Sequence, residues 1–153
     1  MTFCIAIKSK TGVVALSDTR ISSGLGVSTS KKIQIYHENG NSFFLMSSGL
    51  RSIRDKVIHL FEDELENASA DKLYKIANLV GNAVKQARAE DLEQLKESNF
   101  FFDGHFIVGG QCSKDKRSTI FLVFPEGNWV EVSDESPYTC LLYTSPSPRD
   151  DRP

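Results

Sequence analysis

The sequence predicts an α+β fold with antiparallel sheets, because predicted strands lie on either side of a pair of predicted helices. Four strands are predicted before residue 48 and three after residue 103, from β-rich runs and period-two alternation. Between them, apolar residues recur at helical spacing in two segments. The length of 153 residues corresponds to about one domain. Two successive sheets with helices packed outside them would form a layered sandwich.

The first two predicted strands form a hairpin, since β-forming residues flank the turn at 10–12. The segment 21–30 is rich in glycine and serine and predicts a loop. The Asn-Gly dipeptide at 39–40 is a hairpin signal between the third and fourth strands. The predicted strands are 3–8, 13–16, 32–36, 42–47, 104–109, 118–124 and 128–132.

Two amphipathic helices are predicted between the two groups of strands. Apolar residues at helical spacing indicate a first helix over about 50–66. Ser69 is suited to be the N-cap of the second helix. The apolar positions of that helix run over 73–87, and their spacing allows an extension to Leu95.

Composition argues against several classes of protein. Eighteen Lys and Arg residues against 20 Asp and Glu residues give a net charge of −2, which disfavours a nucleic-acid-binding protein. No apolar run approaches the ~20 residues of a membrane span, and the first residues lack the pattern of a secretory signal. Three scattered cysteines do not make a disulfide framework, so we expect a cytoplasmic protein. No residues have metal-ligand spacing, and we expect no metal and no cofactor.

The end of the chain differs in composition from the rest. Residues 140–153 contain three of the five prolines, and their polar composition is typical of a disordered tail. Residues 140–150 (Cys-Leu-Leu-Tyr-Thr-Ser-Pro-Ser-Pro-Arg-Asp) also resemble one reading frame of a sequencing-library adapter. We therefore predict a domain over 1–139 that is incomplete at its C-terminus, and a non-native tail over 140–153.

Thr2 follows the initiator methionine, and removal of Met1 would leave a free N-terminal threonine. Its α-amine, with an ordinary pKa of about 7.7–8.0, can act as general base for its own hydroxyl. Asp18 follows the second predicted strand, and a tight hairpin brings that end beside Thr2. Lys32 begins the third strand, and its ammonium would lower the pKa of the hydroxyl if that strand lies alongside.

Each of these residues also has an ordinary structural interpretation. Many proteins begin Met-Thr, so Thr2 can be a processed terminus and nothing more. Asp18 and Arg20 can form a turn cap and a surface ion pair, which is worth ~0–1 kcal/mol. Lys32 can be a solvated strand end.

Six motifs stand in order along the chain. They are the opening Met-Thr-Phe-Cys, Gly-Val-Val-Ala-Leu-Ser-Asp-Thr-Arg at 12–20, Lys-Lys-Ile at 31–33, Ser-Ser-Gly at 47–49, Phe-Ile-Val-Gly-Gly-Gln at 106–111 and Phe-Pro-Glu-Gly-Asn at 124–128. This set resembles a proteasome-type β-subunit, and is closer still to the bacterial Anbu group, in which methionine removal alone exposes the threonine. The match runs from Met1 to about Tyr138.

The resemblance implies an N-terminal-nucleophile hydrolase with a four-layer αββα sandwich, acting as a threonine peptidase. Thr2 would be the nucleophile and, through its amine, the base. Asp18 and Lys32 would orient Thr2 and lower the pKa of its hydroxyl. The backbone N–H of Gly49 would be the oxyanion donor, a position where glycine permits close approach to the substrate.

Substrate and partners are also implied only by the resemblance. Ile21, Ser22 and Ser47 fall where the family lines a cleft that binds an extended peptide by strand addition. Ser47 is small and polar, so the pocket for the residue before the cleaved bond would be neither strongly acidic nor strongly basic. The family assembles into homo-oligomers, as rings or open helical assemblies, and acts on peptides or unfolded proteins. An ATP-dependent unfoldase could be a partner, although the sequence encodes none. Neither nucleic acid nor a membrane is expected.

Two departures from the family pattern affect the site. The loop before the lysine is shorter than in proteasome β-subunits, so Lys31 and Lys32 are alternatives. We prefer Lys32, because it directly precedes the apolar strand residue Ile33. The supporting Asp and Ser of the family come from a C-terminal part that we expect this chain to lack. We therefore expect the chain as it stands to fold poorly or to be inactive.

Two other functions are compatible with the sequence. One is a non-proteolytic amidase on the same scaffold, acting on a small amide such as a γ-glutamyl substrate. The other is a catalytically silent structural or binding subunit of a proteasome-like assembly. The combination of Thr2, Asp18 and Lys32 argues against the silent subunit, since such a subunit has no need of it.

Overall fold

The computed structural model describes residues 2–23, 26–29 and 32–143. This part of the chain is built from ten strands and two helices. In chain order they are β1 (Thr2–Lys8), β2 (Val13–Ser17), β3 (Arg20–Ser23), β4 (Gly26–Thr29), β5 (Ile33–Glu38), β6 (Asn41–Ser48), α1 (Arg51–Asn67), α2 (Leu73–Glu97), β7 (His105–Gln111), β8 (Thr119–Val123), β9 (Trp129–Glu131) and β10 (Tyr138–Tyr143).

All of the described strand pairs are antiparallel, as predicted. One sheet has the order β10-β1-β2, and a larger sheet has the order β5-β6-β7-β8-β9. β3 and β4 form a separate hairpin in which Ile21 pairs with Ser28. The prediction of a loop over 21–30 is therefore wrong. A stretch rich in glycine and serine has no regular alternation of apolar residues, so its hydrophobic pattern does not predict that its two halves pair as strands.

Alternation along the strands of the larger sheet separates two cores. Leu45 and Phe106 face α1 and α2, and they belong to the core between the helices and this sheet. Their neighbours Met46 and Ile107 face the opposite way and pack against Cys4 and other residues of the smaller sheet. The described residues therefore form three layers, with the helices outside the larger sheet. The predicted α+β class is confirmed.

The outer face of the smaller sheet is apolar and exposed. Val14, Leu16 and Leu142 are 63%, 60% and 67% exposed. Neither described helix covers this face, so a second helical layer of the predicted sandwich is not found among the described residues. Neither of these helices combines the length and the apolar character needed to cross a membrane.

The second helix begins later than the sequence predicts. Ser69 is not its N-cap, because α2 starts at Leu73. The carboxylate of Asp115 accepts the backbone N–H of Leu73 at 2.9 Å and holds this helix end from the loop after β7. A helix end satisfied across 42 residues cannot be recognised from local sequence.

β10 crosses the predicted boundary between domain and tail. Its residues 138–143 pair with β1, and Cys140 lies opposite Ile5. Residues 140–143 thus complete a strand, whereas 144–153 lie outside the described residues. Pairing does not test where a stretch of sequence came from, so the non-native origin of 140–150 stays a prediction.

Candidate active site

Asp18 lies beside the beginning of β1, as the predicted hairpin requires. Its Oδ1 accepts the backbone N–H of Phe3 at 3.0 Å, and its own backbone N–H donates to the carbonyl of Phe3 at 3.1 Å. The N–H of Phe3 belongs to the peptide bond that joins Thr2 to Phe3. Asp18 therefore holds the peptide unit directly after Thr2.

Lys32 lies against the same carboxylate. Its Nζ donates to Asp18 Oδ1 at 2.9 Å. Lys32 is only 5% exposed, so the alternative of a solvated strand end is wrong. The residue directly precedes β5, and the pairing of that strand within the larger sheet sets its position. Lys31, the other candidate lysine, lies outside the described residues.

These contacts hold Asp18 in its ionised form. Burial raises the pKa of this carboxyl, but the N–H of Phe3 and the ammonium of Lys32 together outweigh it and leave the pKa below its ordinary value. Asp18 is therefore an anion at neutral pH. The site thus places a fixed ion pair, buried on its lysine side, at the start of β1.

Three predicted site residues are described by their backbone alone. Thr2 is the first residue of β1 and pairs with Tyr143. Ile21 and Ser22 lie in β3, opposite Ser28 and Val27. The side chains of Thr2, Ile21 and Ser22 lie outside the described part of the structure, so their predicted roles stay predictions.

Gly49 forms the turn between β6 and α1. Its φ of +106° lies in a region that glycine adopts without strain. A Cβ at this position would lie 3.1 Å from the Cα of Gly104 and 3.2 Å from Oδ1 of Asp103. The turn therefore has two reasons to be glycine, one conformational and one steric.

Ser47 is 4% exposed, at the end of β6. Its carbonyl oxygen accepts a hydrogen bond from the Sγ of Cys4 at 3.7 Å, which links β6 to β1. Burial raises the pKa of the Cys4 thiol to about 11, so Cys4 is a packing residue rather than a nucleophile. The placement of Ser47 in a substrate cleft stays a prediction.

Asp103 is a neighbour of the site that the sequence analysis did not find. Its Oδ1 is buried with no hydrogen-bond partner among the described residues. Burial raises the pKa of this carboxyl. A single aspartate before a strand carries no motif, and its proximity to Gly49 arises only from the pairing of β6 with β7. The carboxyl therefore belongs to the surroundings of the candidate oxyanion donor.

The geometry supports one kind of chemistry at the N-terminal end of β1. A positive charge with little exposure to solvent stabilises negative charge that develops nearby far more strongly than an exposed one does. The carboxylate fixes that charge and, through the same oxygen, the peptide after Thr2. Such a pair can lower the pKa of an adjacent hydroxyl or amine.

No family model matches the sequence, and no curated protein sequence is significantly similar to it. The fold, by contrast, matches solved structures.

A mutant of Anbu from Hyphomicrobium sp. strain MC1 is 30% identical with a TM-score of 0.81, over 94% of this chain and 61% of that one. Anbu from Yersinia bercovieri, described as an ancestral β-subunit, is 22% identical with a TM-score of 0.78, over 91% and 60%. A chain from a helical assembly of the Anbu complex from Pseudomonas aeruginosa is 22% identical with a TM-score of 0.79, and the match covers 91% of this chain and 60% of that one.

These matches confirm the resemblance to the Anbu group. They cover more than nine-tenths of this chain, and they assign it a proteasome-like fold. The chain spans about 60% of the length of the Anbu chains that it matches.

Proposed function

We propose that this chain is a subunit of an N-terminal-nucleophile hydrolase that cleaves peptide bonds with Thr2. The observation that carries the proposal is the ion pair between Lys32 and Asp18, with Asp18 bonded to the peptide N–H that follows Thr2. A lysine that is 5% exposed has a cost of desolvation, which its partner must offset. If Thr2 is the nucleophile, the charge of this lysine stabilises its ionised hydroxyl, which explains why a lysine is kept there.

The proposed reaction proceeds through an acyl-enzyme. The Thr2 hydroxyl loses its proton to the α-amine of the same residue and attacks the carbonyl carbon of the substrate. The backbone N–H of Gly49 donates to the oxyanion, and the charge of Lys32 favours the ionised hydroxyl. The amine then protonates the leaving nitrogen, and water releases the acyl group by the same steps.

A second candidate function is amide hydrolysis on a small non-peptide substrate. The same nucleophile and charge pair would serve it, and Ile21, Ser22 and Ser47 would then line a smaller pocket. A panel of peptides and γ-glutamyl amides distinguishes the two functions. A catalytically silent subunit would show no covalent chemistry at Thr2.

The test is covalent labelling of the full-length protein encoded by the source gene. We expect the intact mass to show loss of Met1 and, after treatment with a β-lactone, a single adduct that maps to Thr2. Thr2→Ala should abolish the adduct, whereas Thr19→Ala, the same change at an exposed threonine, should leave it unchanged. Retained Met1, or no adduct on a folded protein, would contradict the proposal.

We further propose that the complete protein has a fourth layer and assembles with copies of itself. The exposed apolar face of the smaller sheet, with Val14, Leu16 and Leu142, supports the fourth layer, because such a face is unstable in water. Assembly is supported by the helical Anbu complex of Pseudomonas aeruginosa. Size-exclusion chromatography with light scattering on the full-length protein tests it, and a monomer at micromolar concentration would contradict it.

The proposed location of this protein is the cytoplasm. The scattered, free cysteines of the described residues fit a reducing cytoplasm, where unfolded proteins would be the substrate. An ATP-dependent unfoldase would have to come from another chain. Fractionation of the source cells followed by mass spectrometry tests the location, and recovery outside the cytoplasm would contradict it.

A further inference from the structure

A second charged cavity lies at the end of β1 opposite Thr2. It has a volume of about 720 Å³ and is bounded by the β1–β2 turn, the loop before β8 and the segment after β9. β1 runs from Thr2 to Lys8, so about 20 Å of extended chain separates the cavity from the candidate active site. We call this cavity the basic hollow; its charged residues are Lys8, Lys10, Lys116, Arg117 and Asp134.

The basic hollow has an excess of positive charge. Four cations face one carboxylate, a local net charge of +3 in a chain whose total is −2. Asp134 is shared, since its two oxygens lie 2.9 Å from Lys8 Nζ and 3.1 Å from an Nη of Arg117. The side chain of Lys8 is only 6% exposed, so one of these charges is part of the cavity wall.

Two of the cations have no acidic partner among the described residues. Lys10 and Lys116 line the basic hollow, and neither lies within 4.0 Å of a described carboxylate. Three other acids stand in the adjoining segments, and none of them lines the basic hollow: Asp115, Glu131 and Glu135. Asp115 accepts the N–H groups of Leu73 and Cys112, and Glu131 accepts the hydroxyl of Thr119.

The turn that carries Lys10 is held in one conformation. The N–H of Ser9 donates to the carbonyl of Gly12 at 2.8 Å, and the hydroxyl of Ser9 donates to the same oxygen at 3.0 Å. These bonds fix the backbone from which Lys10 projects, which lowers the entropy lost on binding.

We propose that the basic hollow binds a small molecule that carries several phosphate groups. The volume lies within the range of small-molecule sites, about 300–1,000 Å³. The local net charge of +3 matches the negative charge of a di- or triphosphate. The guanidinium of Arg117 can bind phosphate with two parallel hydrogen bonds, and the ammonium groups of Lys10 and Lys116 act as point charges.

Isothermal titration of the full-length protein with inorganic triphosphate at low ionic strength tests this site. We expect saturable binding with one site per chain, and at least tenfold weaker binding by the double variant Lys10→Ala/Lys116→Ala. Both lysines are exposed, so the variant should fold as the parent does. The matched control is Lys72→Ala/Lys96→Ala, which removes the same charge from exposed positions at the two ends of α2 and should bind as the parent does.

Three outcomes would overturn the proposal. They are no saturable binding at millimolar triphosphate, an equal loss of binding in the control variant, and equal binding of citrate. The second would mean that the net charge of the chain attracts the ligand, and the third that the site is not selective for phosphate. None of them depends on whether Thr2 is a nucleophile.

Discussion

Two lysines with little exposure lie at opposite ends of β1, and each forms an ion pair of the same length. Lys32 Nζ lies 2.9 Å from Asp18, and Lys8 Nζ lies 2.9 Å from Asp134. The lysine side chains are 4% and 6% exposed, but the carboxylate side chains are 32% and 60% exposed. The two pairs differ mainly in what surrounds the carboxylate.

At the Thr2 end, the carboxylate of Asp18 also binds the backbone of Phe3, so the pair is tied to the sheet. At the other end, Asp134 is shared with Arg117 and faces two further cations across an open cavity. An ion pair between a buried lysine and a carboxylate does not by itself indicate a function. The second partners differ: at one end the carboxylate binds the backbone beside the proposed nucleophile, and at the other it lies among the cations of the proposed phosphate site.

Lys32→Met should have the largest effect, because methionine keeps much of the side-chain length and removes the charge beside Thr2. We expect the rate of β-lactone labelling at Thr2 to fall by about 100-fold or more, the range usual for such groups. The measurement is the adduct fraction against time, by intact mass, in the full-length protein.

Lys56→Met is the matched control for that substitution. Lys56 pairs with Glu90 and Asp91 between the two helices. We expect the labelling rate to change by no more than about twofold, as for most surface substitutions. Equal losses in the two variants would mean that the ion pair at the Thr2 end has no special role.

Gly49→Ala and Gly12→Ala compare the glycine turns at the two ends of the molecule. Gly49 has a φ of +106°, and a Cβ there would lie 3.1 Å from the Cα of Gly104, whereas nothing lies within 4 Å of a Cβ at Gly12. We expect Gly49→Ala to lower the free energy of unfolding by about 1–3 kcal/mol. Gly12→Ala should change it by about 0.5 kcal/mol or less. Urea denaturation measures both, and equal values would contradict the assignment of strain to Gly49.

Acid should weaken both ion pairs, whereas salt should separate the two carboxylates, and these are the smallest effects expected. The pKa of Asp18 is lowered in the folded state, so its stabilisation is present above its ordinary pKa, about 3.9, and is lost as the pH falls through the lowered value. We expect Asp18→Asn to cost about 1 kcal/mol at pH 7 and progressively less at acid pH. Urea denaturation at several pH values measures this, and a cost that is independent of pH would contradict it.

The exposed pair provides the contrast. Lys8 and Arg117 lower the pKa of Asp134, so its stabilisation has the same sign with pH. Because Asp134 is well exposed, we expect the cost of Asp134→Asn to disappear in 0.5 M salt, whereas that of Asp18→Asn persists. The same denaturation series, repeated in salt, checks this. Equal sensitivity to salt would contradict the difference in burial.

Much of the fold can be predicted from local sequence, and the misses have a common physical cause. Strand β6, which is apolar on both faces, and the helix α1 appear within one or two residues of their predicted bounds, because burial favours a continuous apolar run in the strand and a helical period in the helix. Local sequence does not predict the polar hairpin of β3 and β4, because backbone pairing forms it. It does not predict the start of α2 at Leu73 either, because the distant Asp115 holds that helix end.

For the candidate site, the chemical types and their order can be read from the sequence: a threonine after the first methionine, an aspartate after the first hairpin, and a lysine before the next strand. Local patterns suffice for this, since each residue stands at the end of a regular element. Tertiary packing is needed to bury Lys32 against Asp18, to place Asp103 beside Gly49, and to bring four cations together at the far end of β1. These are contacts between residues distant in the chain, and their burial and electrostatic energies exist only once the sheets have packed.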